Sequence, residues 1–225
     1  SNIEATNPSQ WVVHAATDAI ELGDGQLDTE TSNNADLSLR WSADGDFVRL
    51  TAFYNDFTDY INLVNTGLEE DAVEVYAYIQ DDANFYGAEL DSEFALSTLA
   101  GGELRLGVFG DIVYGDADEG GDIPRLPPAR IGSKLGWSAQ RLELWMRVLH
   151  ASEQDKPGDF ERSTGSYTKW DAGGEYRIPM NQNELVVFFE VENIGNEQIR
   201  LSTSFLRDIA PESGISAEVG IRFLF

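Results

Sequence analysis

The sequence has 225 residues, with 15 basic against 40 acidic side chains and a formal charge of −25. We expect no nucleic-acid partner, because phosphate binding requires a basic surface. The absence of cysteine from the sequence excludes a disulfide framework and a thiolate metal site. The longest aliphatic and aromatic run, Leu185–Phe189, is far shorter than the roughly 18 residues of a membrane helix.

Period-two alternation of apolar and polar residues dominates the chain after an irregular acidic stretch at residues 1–31, which we interpret as a loop. Side chains alternate between the two faces of a strand, so each alternating segment predicts a strand with unlike faces. Nine such segments lie at about 34–41, 48–55, 86–94, 104–114, 129–137, 142–148, 170–178, 185–191 and 215–225. The last of them ends on Phe225 and has the length of a tilted transmembrane strand, about 9–11 residues.

Short and long connections alternate strictly between these segments. The short turns are 42–46, 98–102, 138–140 and 179–182, and the long connections are 61–82, 115–128, 152–166 and 193–214. Within 61–82, residues 73–79 have an extended pattern of their own. A β-sandwich is not expected to sort its connections by length. An up-and-down sheet in a membrane is expected to sort its connections in this way, with short turns on the periplasmic side and long loops outside. The sequence therefore predicts an all-β, antiparallel, up-and-down transmembrane β-barrel, of which residues 32–225 supply about nine strands.

The two sides of the predicted strands have different compositions. The polar side mixes charges of both signs, which suits a wet interior, and its glycines suit close backbone approach. These glycines are Gly87, Gly107, Gly132, Gly173 and Gly220. Aromatic residues cluster on the apolar side near the short turns, where an aromatic belt at the membrane interface would lie. The predicted interface residues are Trp41, Trp137, Tyr176, Phe223 and Phe225.

One candidate metal site lies in the first predicted loop. His14 is followed by three carboxylates, Asp18, Glu21 and Asp24. Imidazole and carboxylate groups together bind a borderline metal such as zinc. The alternative is a solvated loop histidine, and the spacing does not decide between the two.

A second candidate lies in the loop at 115–128. Asp116, Asp118 and Asp122 form an oxygen-rich segment broken by glycines, as in a calcium loop, although the full EF-hand spacing is missing. A solvated acidic loop is the alternative. Neither a Gly-x-Ser-x-Gly elbow nor a phosphate loop is found in the sequence, so we expect no enzyme and no cofactor beyond such a divalent ion.

Seven stretches, in order along the whole chain, resemble the C-terminal part of TonB-dependent outer-membrane receptors. They are 14–17 with 23–27, then 32–37, 53–61, 83–89, 122–130, 190–197 and 203–211. The stretch around His14 is most similar to the branch that includes zinc-uptake receptors.

The resemblance implies a 22-stranded barrel in the bacterial outer membrane, closed by an N-terminal plug and energised by the TonB complex. The nine strands would be the last nine of the 22, so we expect a barrel fragment without the plug. Its function would be uptake of a scarce metal ion or metal chelate. The aromatic C-terminal strand would be read by the barrel-insertion machinery, and outer-membrane lipid would cover the apolar side.

Two other interpretations remain open from the sequence alone. In the first, the chain is a soluble all-β domain that binds a ligand or partner, and its apolar sides face another sheet. In the second, it is an outer-membrane barrel hydrolase, which would need a serine, a histidine and a carboxylate converging on the wall.

Overall fold

A computed structural model describes the backbone of residues 12–14 and all atoms of residues 19–119, 121–159 and 161–225. The strands are β1 (Val12–His14), β2 (Ala19–Leu22), β3 (Thr31–Ala43), β4 (Asp46–Glu70), β5 (Val73–Leu99), β6 (Gly102–Ala117), β7 (Gly121–Asp122), β8 (Arg130–Ala139), β9 (Leu142–Ala151), β10 (Tyr167–Met180), β11 (Asn183–Glu192) and β12 (Ser216–Leu224). The described residues contain no helix that is long and apolar enough to cross a membrane.

Nine of these strands form the predicted antiparallel wall. Their order is β3-β4-β5-β6-β8-β9-β10-β11-β12, and each strand pairs with its neighbour in the antiparallel sense. The all-β, up-and-down prediction is confirmed. We call these nine strands the wall, and we name its two ends the short-turn end and the long-loop end.

Two of the hairpin turns at the short-turn end are two-residue connections in which both residues adopt positive φ. Asp44 and Gly45 have φ of 52° and 87°, and Ala100 and Gly101 have 50° and 79°. Two successive positive φ values define the type I′ turn, whose twist matches that of the flanking strands. The aspartate–glycine pair after β3 is therefore the signal that fixes this register.

The long connection predicted at 61–82 is instead the tip of a hairpin. β4 continues to Glu70 and β5 begins at Val73, so almost the whole segment is paired. Register shifts between Phe57 and Tyr60 and between Asn65 and Leu68 mark two bulges. A bulge inserts an extra residue and breaks the period-two pattern. The interpretation of 61–82 as an irregular loop was wrong for this reason, although residues 73–79 are extended as their pattern indicates.

Two further predicted loops contain short strands. In residues 1–31, β1 and β2 form a small hairpin, and β2 lies parallel to the outer part of β5 with Ile20 opposite Val75. In residues 115–128, β7 pairs with the end of β6. Ala19, Ile20, Val75 and Tyr76 are buried where the small hairpin covers the long one. Burial at this point stabilises strands that are too short to carry a recognisable pattern.

The wall has two faces of opposite character. One, which we call the apolar face, carries a continuous apolar surface; Leu39, Leu50 and Leu90 stand side by side on three adjacent strands. Its side chains are exposed on inner strands too, 60% for Ile131 and 46% for Met146. The other, the charged face, carries the ionic residues. The described residues form one sheet with nothing packed over the apolar face, which contradicts the soluble-sandwich interpretation.

Candidate functional site

The five predicted interface aromatics lie at the short-turn end of the apolar face. Trp41 is 50% exposed and stands two residues before the Ala43–Asp46 turn. Trp137 lies beside the turn between β8 and β9. It donates its indole N–H to the Leu99 carbonyl at 2.8 Å. Tyr176 and Phe223 are exposed, and the rings of Phe223 and Phe225 are 6.3 Å apart. Contact with lipid headgroups stays a prediction for these residues.

A second aromatic row, missed in the sequence, crosses the apolar face at the long-loop end. Tyr54, Tyr86 and Tyr114 occupy adjacent register positions on β4, β5 and β6. The rings of Tyr86 and Tyr114 are 5.4 Å apart, and the Tyr54 hydroxyl donates to Asn84. Transmembrane barrels carry aromatic belts at both interfaces. Each tyrosine follows the strand's period, so the signal was present, but only the register shows that the three form a row.

The charged face is built around glycines covered by aromatic rings. In four places an aromatic side chain lies directly across from a glycine on the next strand, so that a Cβ there would be 2.3–2.7 Å from the ring. The pairs are Phe53 with Gly87, Phe109 with Gly132, Trp145 with Gly173, and Phe188 with Gly220. The expectation of close approach is therefore met at four of the five glycines. At Gly107 an added Cβ would be 3.4 Å from its nearest neighbour, the Ser92 carbonyl oxygen.

Three of these rings carry a cation on their exposed side. The Arg147 guanidinium lies 4.7 Å from the centroid of Phe109, the Lys134 ammonium 5.3 Å from Trp145, and the Arg222 guanidinium 5.5 Å from Phe188. Such contacts contribute about 0.5–1 kcal/mol at exposed sites. Glycine, ring and cation thus form a stack that recurs across the charged face.

Other cations on this face are held by carboxylates near the short turns. Arg105 lies within 3.2 Å of three carboxylates, those of Asp46, Glu93 and Glu103. Arg177 is similarly surrounded by Glu143, Glu175 and Glu184. Each group leaves an excess of negative charge at the short-turn end. Exposed pairs of this kind are worth about 0–1 kcal/mol each, so their main effect is on the local potential.

The charged face is also the grooved face of the sheet. A depression of about 520 Å³ is lined by Phe53, Phe109 and the ion pairs Arg49–Asp91 and Arg130–Asp111. A second groove of about 200 Å³ lies nearer the short turns, beside Lys134 and Trp145. Grooves lined by charged and aromatic groups provide a wet surface along which a polar solute can bind.

Three long connections interlock over the long-loop end, and we call them the loop cap: residues 121–129, 152–166 and 193–214, of which residue 160 lies outside the description. A buried ion pair joins two of them, because Arg207 contacts Glu161 with side-chain exposures of 6% and 3%. The other carboxylate oxygen of Glu161 accepts the backbone N–H of Arg125 at 2.9 Å and of Gly158 at 3.3 Å. One carboxylate therefore connects all three segments.

Further contacts join the segments of the loop cap to each other and to the wall. The Leu126 carbonyl accepts from the Gln154 amide at 2.8 Å and from the Ser202 hydroxyl at 2.9 Å. Ala151 and Tyr167 at the strand ends form a hydrophobic cluster with Ile199 from the last connection. These buried groups have the character of a globular protein core, although they lie at the end of the wall.

Aromatic rings form a platform where the loop cap meets the charged face. Phe57, Tyr60 and Phe85 contact each other edge to face, with centroids 5.4–5.5 Å apart. Burial, together with the charge of Glu30, raises the pKa of Tyr60. The guanidinium of Arg125 lies 4.3 Å from the Phe205 ring nearby. Its members lie in two of the stretches that carry the family resemblance, 53–61 and 83–89, but the bulge between Phe57 and Tyr60 hides their grouping from the period-two pattern.

The first predicted metal site lies partly outside the described residues, which omit Asp18 and the side chain of His14. Glu21 is buried in β2 and accepts the Tyr78 hydroxyl at 2.6 Å. Asp24 accepts the backbone N–H of Gln26 at 2.8 Å, which caps a turn. Metal ligation by this group stays a prediction.

The second predicted site lies at the junction of β6 and β7. Asp116 and Asp122 are opposite each other in register, and the backbone N–H of Asp118 donates to the Asp82 carbonyl at 3.0 Å. Across the described side chains, no three histidine or carboxylate groups are grouped so that they could hold a metal ion. Calcium binding at Asp116, Asp118 and Asp122 also stays a prediction.

A wall with one apolar face, one charged face and aromatic rows at both ends is typical of a class, the β-barrels of outer membranes. A family model described as TonB dependent receptor-like, beta-barrel matches residues 2–194. The chain therefore belongs to the TonB-dependent receptor β-barrel family and is an outer-membrane protein.

Named relatives agree with this assignment. An iron-regulated outer membrane virulence protein of Vibrio cholerae serotype O1 is 27% identical over 179 residues, which cover 69% of this chain and 26% of that protein. The solved structure of the copper transporter OprC superposes with a TM-score of 0.76 at 15% identity, covering 89% of this chain and 32% of its own. The ferric enterobactin receptor of Pseudomonas aeruginosa superposes with 0.67 at 19% identity, covering 100% of this chain and 36% of its own.

The sequence identities to the two solved structures are low, 15% and 19%. At such identities the structural likeness shows the fold alone. The chain spans about a quarter of the length of the curated relatives and about a third of the solved proteins. The family assignment also confirms the expectation that the chain is not an enzyme, since its members are receptors and transporters.

Proposed function

We propose that this chain is part of the barrel of a receptor that takes up a scarce metal ion or metal chelate across the outer membrane. The observation that carries the proposal is the family match over residues 2–194, and the two-faced wall supports it. The names of similar proteins concern iron regulation, ferric enterobactin and copper. Iron chelates and copper are therefore the first substrates to test. Zinc, suggested by the sequence around His14, is a third candidate.

Within the proposal, the long-loop end faces the medium and the short turns face the periplasm. The loop cap and the platform of Phe57, Tyr60 and Phe85 would meet the substrate first. The charged face would then line a wet path, while the apolar face contacts lipid. We expect energy to come from the TonB complex acting on a plug domain, and barrel insertion to depend on the strand that ends in Phe225.

The platform supports an organic chelate better than a bare ion. Three aromatic rings in mutual contact offer a stacking surface to a planar organic group. A bare metal ion instead needs a cluster of ligating side chains. Such a cluster is not found in the part of the chain that the structure describes.

The test is metal accumulation by cells that lack the receptor gene, compared with the same cells carrying the full-length receptor. Metal-starved cells would be supplied in parallel with a ferric chelate, copper or zinc, with and without a protonophore. We expect the receptor to raise accumulation of one metal, and the protonophore to abolish the difference. Equal accumulation of all three metals in both strains would contradict the proposal.

A matched variant links uptake to the platform. Phe57→Ala in the full-length receptor removes one ring of the three, whereas Phe205→Ala leaves the platform and removes a ring of the loop cap. We expect the first to raise the substrate concentration needed for half-maximal uptake more than the second. The reverse order would locate substrate capture in the loop cap.

A further inference from the structure

An irregularity of β4 turns Tyr60 toward the other rings of the platform. Side chains alternate along a strand, so residues 57 and 60, three positions apart, would lie on opposite faces of a regular strand. The register shift between Phe57 and Tyr60 inserts one extra residue and removes this opposition. The two rings are consequently in contact, with centroids 5.5 Å apart. Bulges occur at the rims of barrels and next to functional sites, where they redirect a side chain.

The backbone of this bulge has an uncommon conformation. Asp59 has φ of 59°, in the left-handed region that residues other than glycine seldom adopt. Such a conformation persists only where the surroundings fix it, and it is frequent at ligand-binding sites. β3 begins at Thr31, opposite Thr58, so its pairing with β4 ends at the bulge. The support for the backbone around Tyr60 must therefore come from other groups.

Gln80 on β5 supplies this support. Its side-chain amide N–H donates to the Asp59 carbonyl at 3.1 Å, which fixes the peptide bond that leads into Tyr60. The amide also donates to the Asp28 carbonyl at 2.9 Å, and its oxygen accepts the Asp28 N–H at 2.6 Å. One side chain thus holds the bulge and joins it to the segment before β3.

The backbone after Tyr60 is fixed from the same segment. The Glu30 carboxylate accepts the N–H of Ile61 at 2.7 Å. Tyr60 is therefore held on both sides by side chains, while its ring contacts Phe57 and Phe85 edge to face. Every group in this arrangement belongs to the described chain, so the arrangement does not depend on what covers the charged face.

We propose that Gln80 is a positioning residue of the platform: by fixing the bulge at Asp59, it keeps the Tyr60 ring against Phe57 and Phe85. Its role in substrate capture rests on the proposed function, in which the platform receives the organic part of a metal chelate. Without the Gln80 amide, the bulge relaxes and the Tyr60 ring separates from the other two. A planar organic chelate then loses one of three stacking rings.

The first measurement needs no substrate. Gln80→Met keeps the length of the side chain but removes its hydrogen-bonding groups. Tyrosinate absorbance of the full-length receptor in detergent gives the titration of Tyr60, as the difference from a variant that also carries Tyr60→Phe. Burial and the charge of Glu30 raise the pKa of Tyr60, so we expect this group to titrate at lower pH in Gln80→Met. An unchanged titration of Tyr60 would overturn the proposal.

Thr66→Val is the matched control at the outer bulge of the same hairpin. The Thr66 hydroxyl donates to the Val75 carbonyl at 2.6 Å, between Asn65 and Leu68, where no ring of the platform lies. This variant should leave the titration of Tyr60 unchanged. An equal shift in both variants would mean that the hairpin loosens as a whole, and it would overturn a specific role for Gln80.

The second measurement is uptake of iron supplied as ferric enterobactin, with copper and zinc in parallel. We expect Gln80→Met to raise the concentration of the ferric chelate for half-maximal uptake by roughly two- to tenfold, the value of one aromatic contact, without changing the maximal rate. In a Tyr60→Ala background Gln80→Met should add nothing, because two residues that act through one contact are not additive.

The outcomes separate this proposal from the proposed function. Receptor-dependent uptake with the same half-maximal concentration in Gln80→Met, or effects of Gln80→Met and Tyr60→Ala that add, would overturn the role of Gln80 in capture. Absence of receptor-dependent uptake of all three metals would contradict the proposed function. The titration of Tyr60 would then still decide whether Gln80 positions this ring.

Discussion

The wall and the loop cap are held together in different ways. On the wall, large apolar side chains of inner strands are exposed, 60% for Ile131 and 46% for Met146, and order comes from hydrogen-bonded register between strands. In the loop cap, Ile199 is 2% exposed and the Glu161–Arg207 pair is buried. The wall depends on the lipid to cover its apolar face, whereas the cap buries its own groups. A substitution should therefore be judged by which region it lies in.

The largest effect is expected from breaking the buried pair in the loop cap. Arg207→Met removes the guanidinium but leaves the Glu161 carboxylate buried with only backbone N–H donors. Removing one partner of a buried pair costs about 3–5 kcal/mol. Hydrogen exchange of the backbone in residues 121–129 and 193–214 should rise sharply, because Glu161 connects these segments, while exchange in the wall strands stays slow.

Arg49→Met is the control on the wall. Arg49 and Asp91 are 3.8 Å apart and each is about half exposed, so their pair should be worth about 0–1 kcal/mol. Its exchange pattern should match that of the unaltered protein. Comparable increases in exchange for both variants would show that the cap is no more dependent on its ion pairs than the wall.

Two substitutions by arginine test whether an exposed apolar residue faces lipid or water. Met146 on the apolar face and Leu206 in the loop cap are almost equally exposed, at 46% and 47%. Met146→Arg should cost about 2–4 kcal/mol in lipid vesicles, the value for a cation near the middle of the bilayer. Leu206→Arg should change the free energy of unfolding by less than about 0.5 kcal/mol. Equal costs, measured by denaturant titration in vesicles, would contradict a lipid-covered apolar face.

Substitutions at two glycines of β8 test whether the covering aromatic ring is the reason for glycine at a position of the charged face. A Cβ on Gly132 would be 2.4 Å from the Phe109 ring and 2.7 Å from the Val148 carbonyl, whereas a Cβ on Gly136 meets nothing within 4 Å. Gly132→Val should cost about 1–3 kcal/mol by overpacking. Gly136→Val should be neutral within about 0.5 kcal/mol. Heat-modifiable mobility and denaturant titration of the full-length receptor measure the difference, and identical behaviour would rule out ring packing as the reason for Gly132.

The smallest effect concerns the long hairpin that joins β4 and β5. Burial, with a hydrogen bond to Glu74, raises the pKa of Tyr76 to about 12. A raised pKa means that the folded state favours the neutral phenol, so this contribution is present below the usual pKa of about 10 and is lost as pH rises toward 12. Tyr76→Phe should remove one of the late-titrating groups from the tyrosinate absorbance; these groups also include Tyr60, whose pKa is raised too. Tyr54→Phe, at an exposed tyrosine, is the control.

The sequence predicts the wall well because the wall follows a simple rule. Each strand has one face toward lipid, so apolar residues such as Ile215 and Phe223 recur at every second position. The Asp44–Gly45 turn adds a local signal for the register. The nine strands follow from this alternation, and their up-and-down order follows from the regular change between short and long connections.

The loop cap and the functional surfaces do not follow such a rule. Glu161 and Arg207 are 46 residues apart in sequence, and no period connects them. The stacking of Arg147 on Phe109 depends on the exact register of β6, β8 and β9, since a shift by one residue would reverse the faces. The bulge after Phe57 similarly hides the platform at the cap. Long-range contacts and register, rather than composition, determine these features.

The hairpin of β4 and β5 also determines what a large particle encounters first. It continues for roughly 50 Å of strand length beyond Tyr54, at about 3.3 Å per residue, and ends at the turn formed by Asp71 and Ala72. A bacteriophage or an antibody is far too large to enter the grooves of the charged face, but this tip stands clear of them. If the long-loop end faces the medium, the tip is an exposed epitope, and an affinity tag inserted there would label living cells without disturbing the wall.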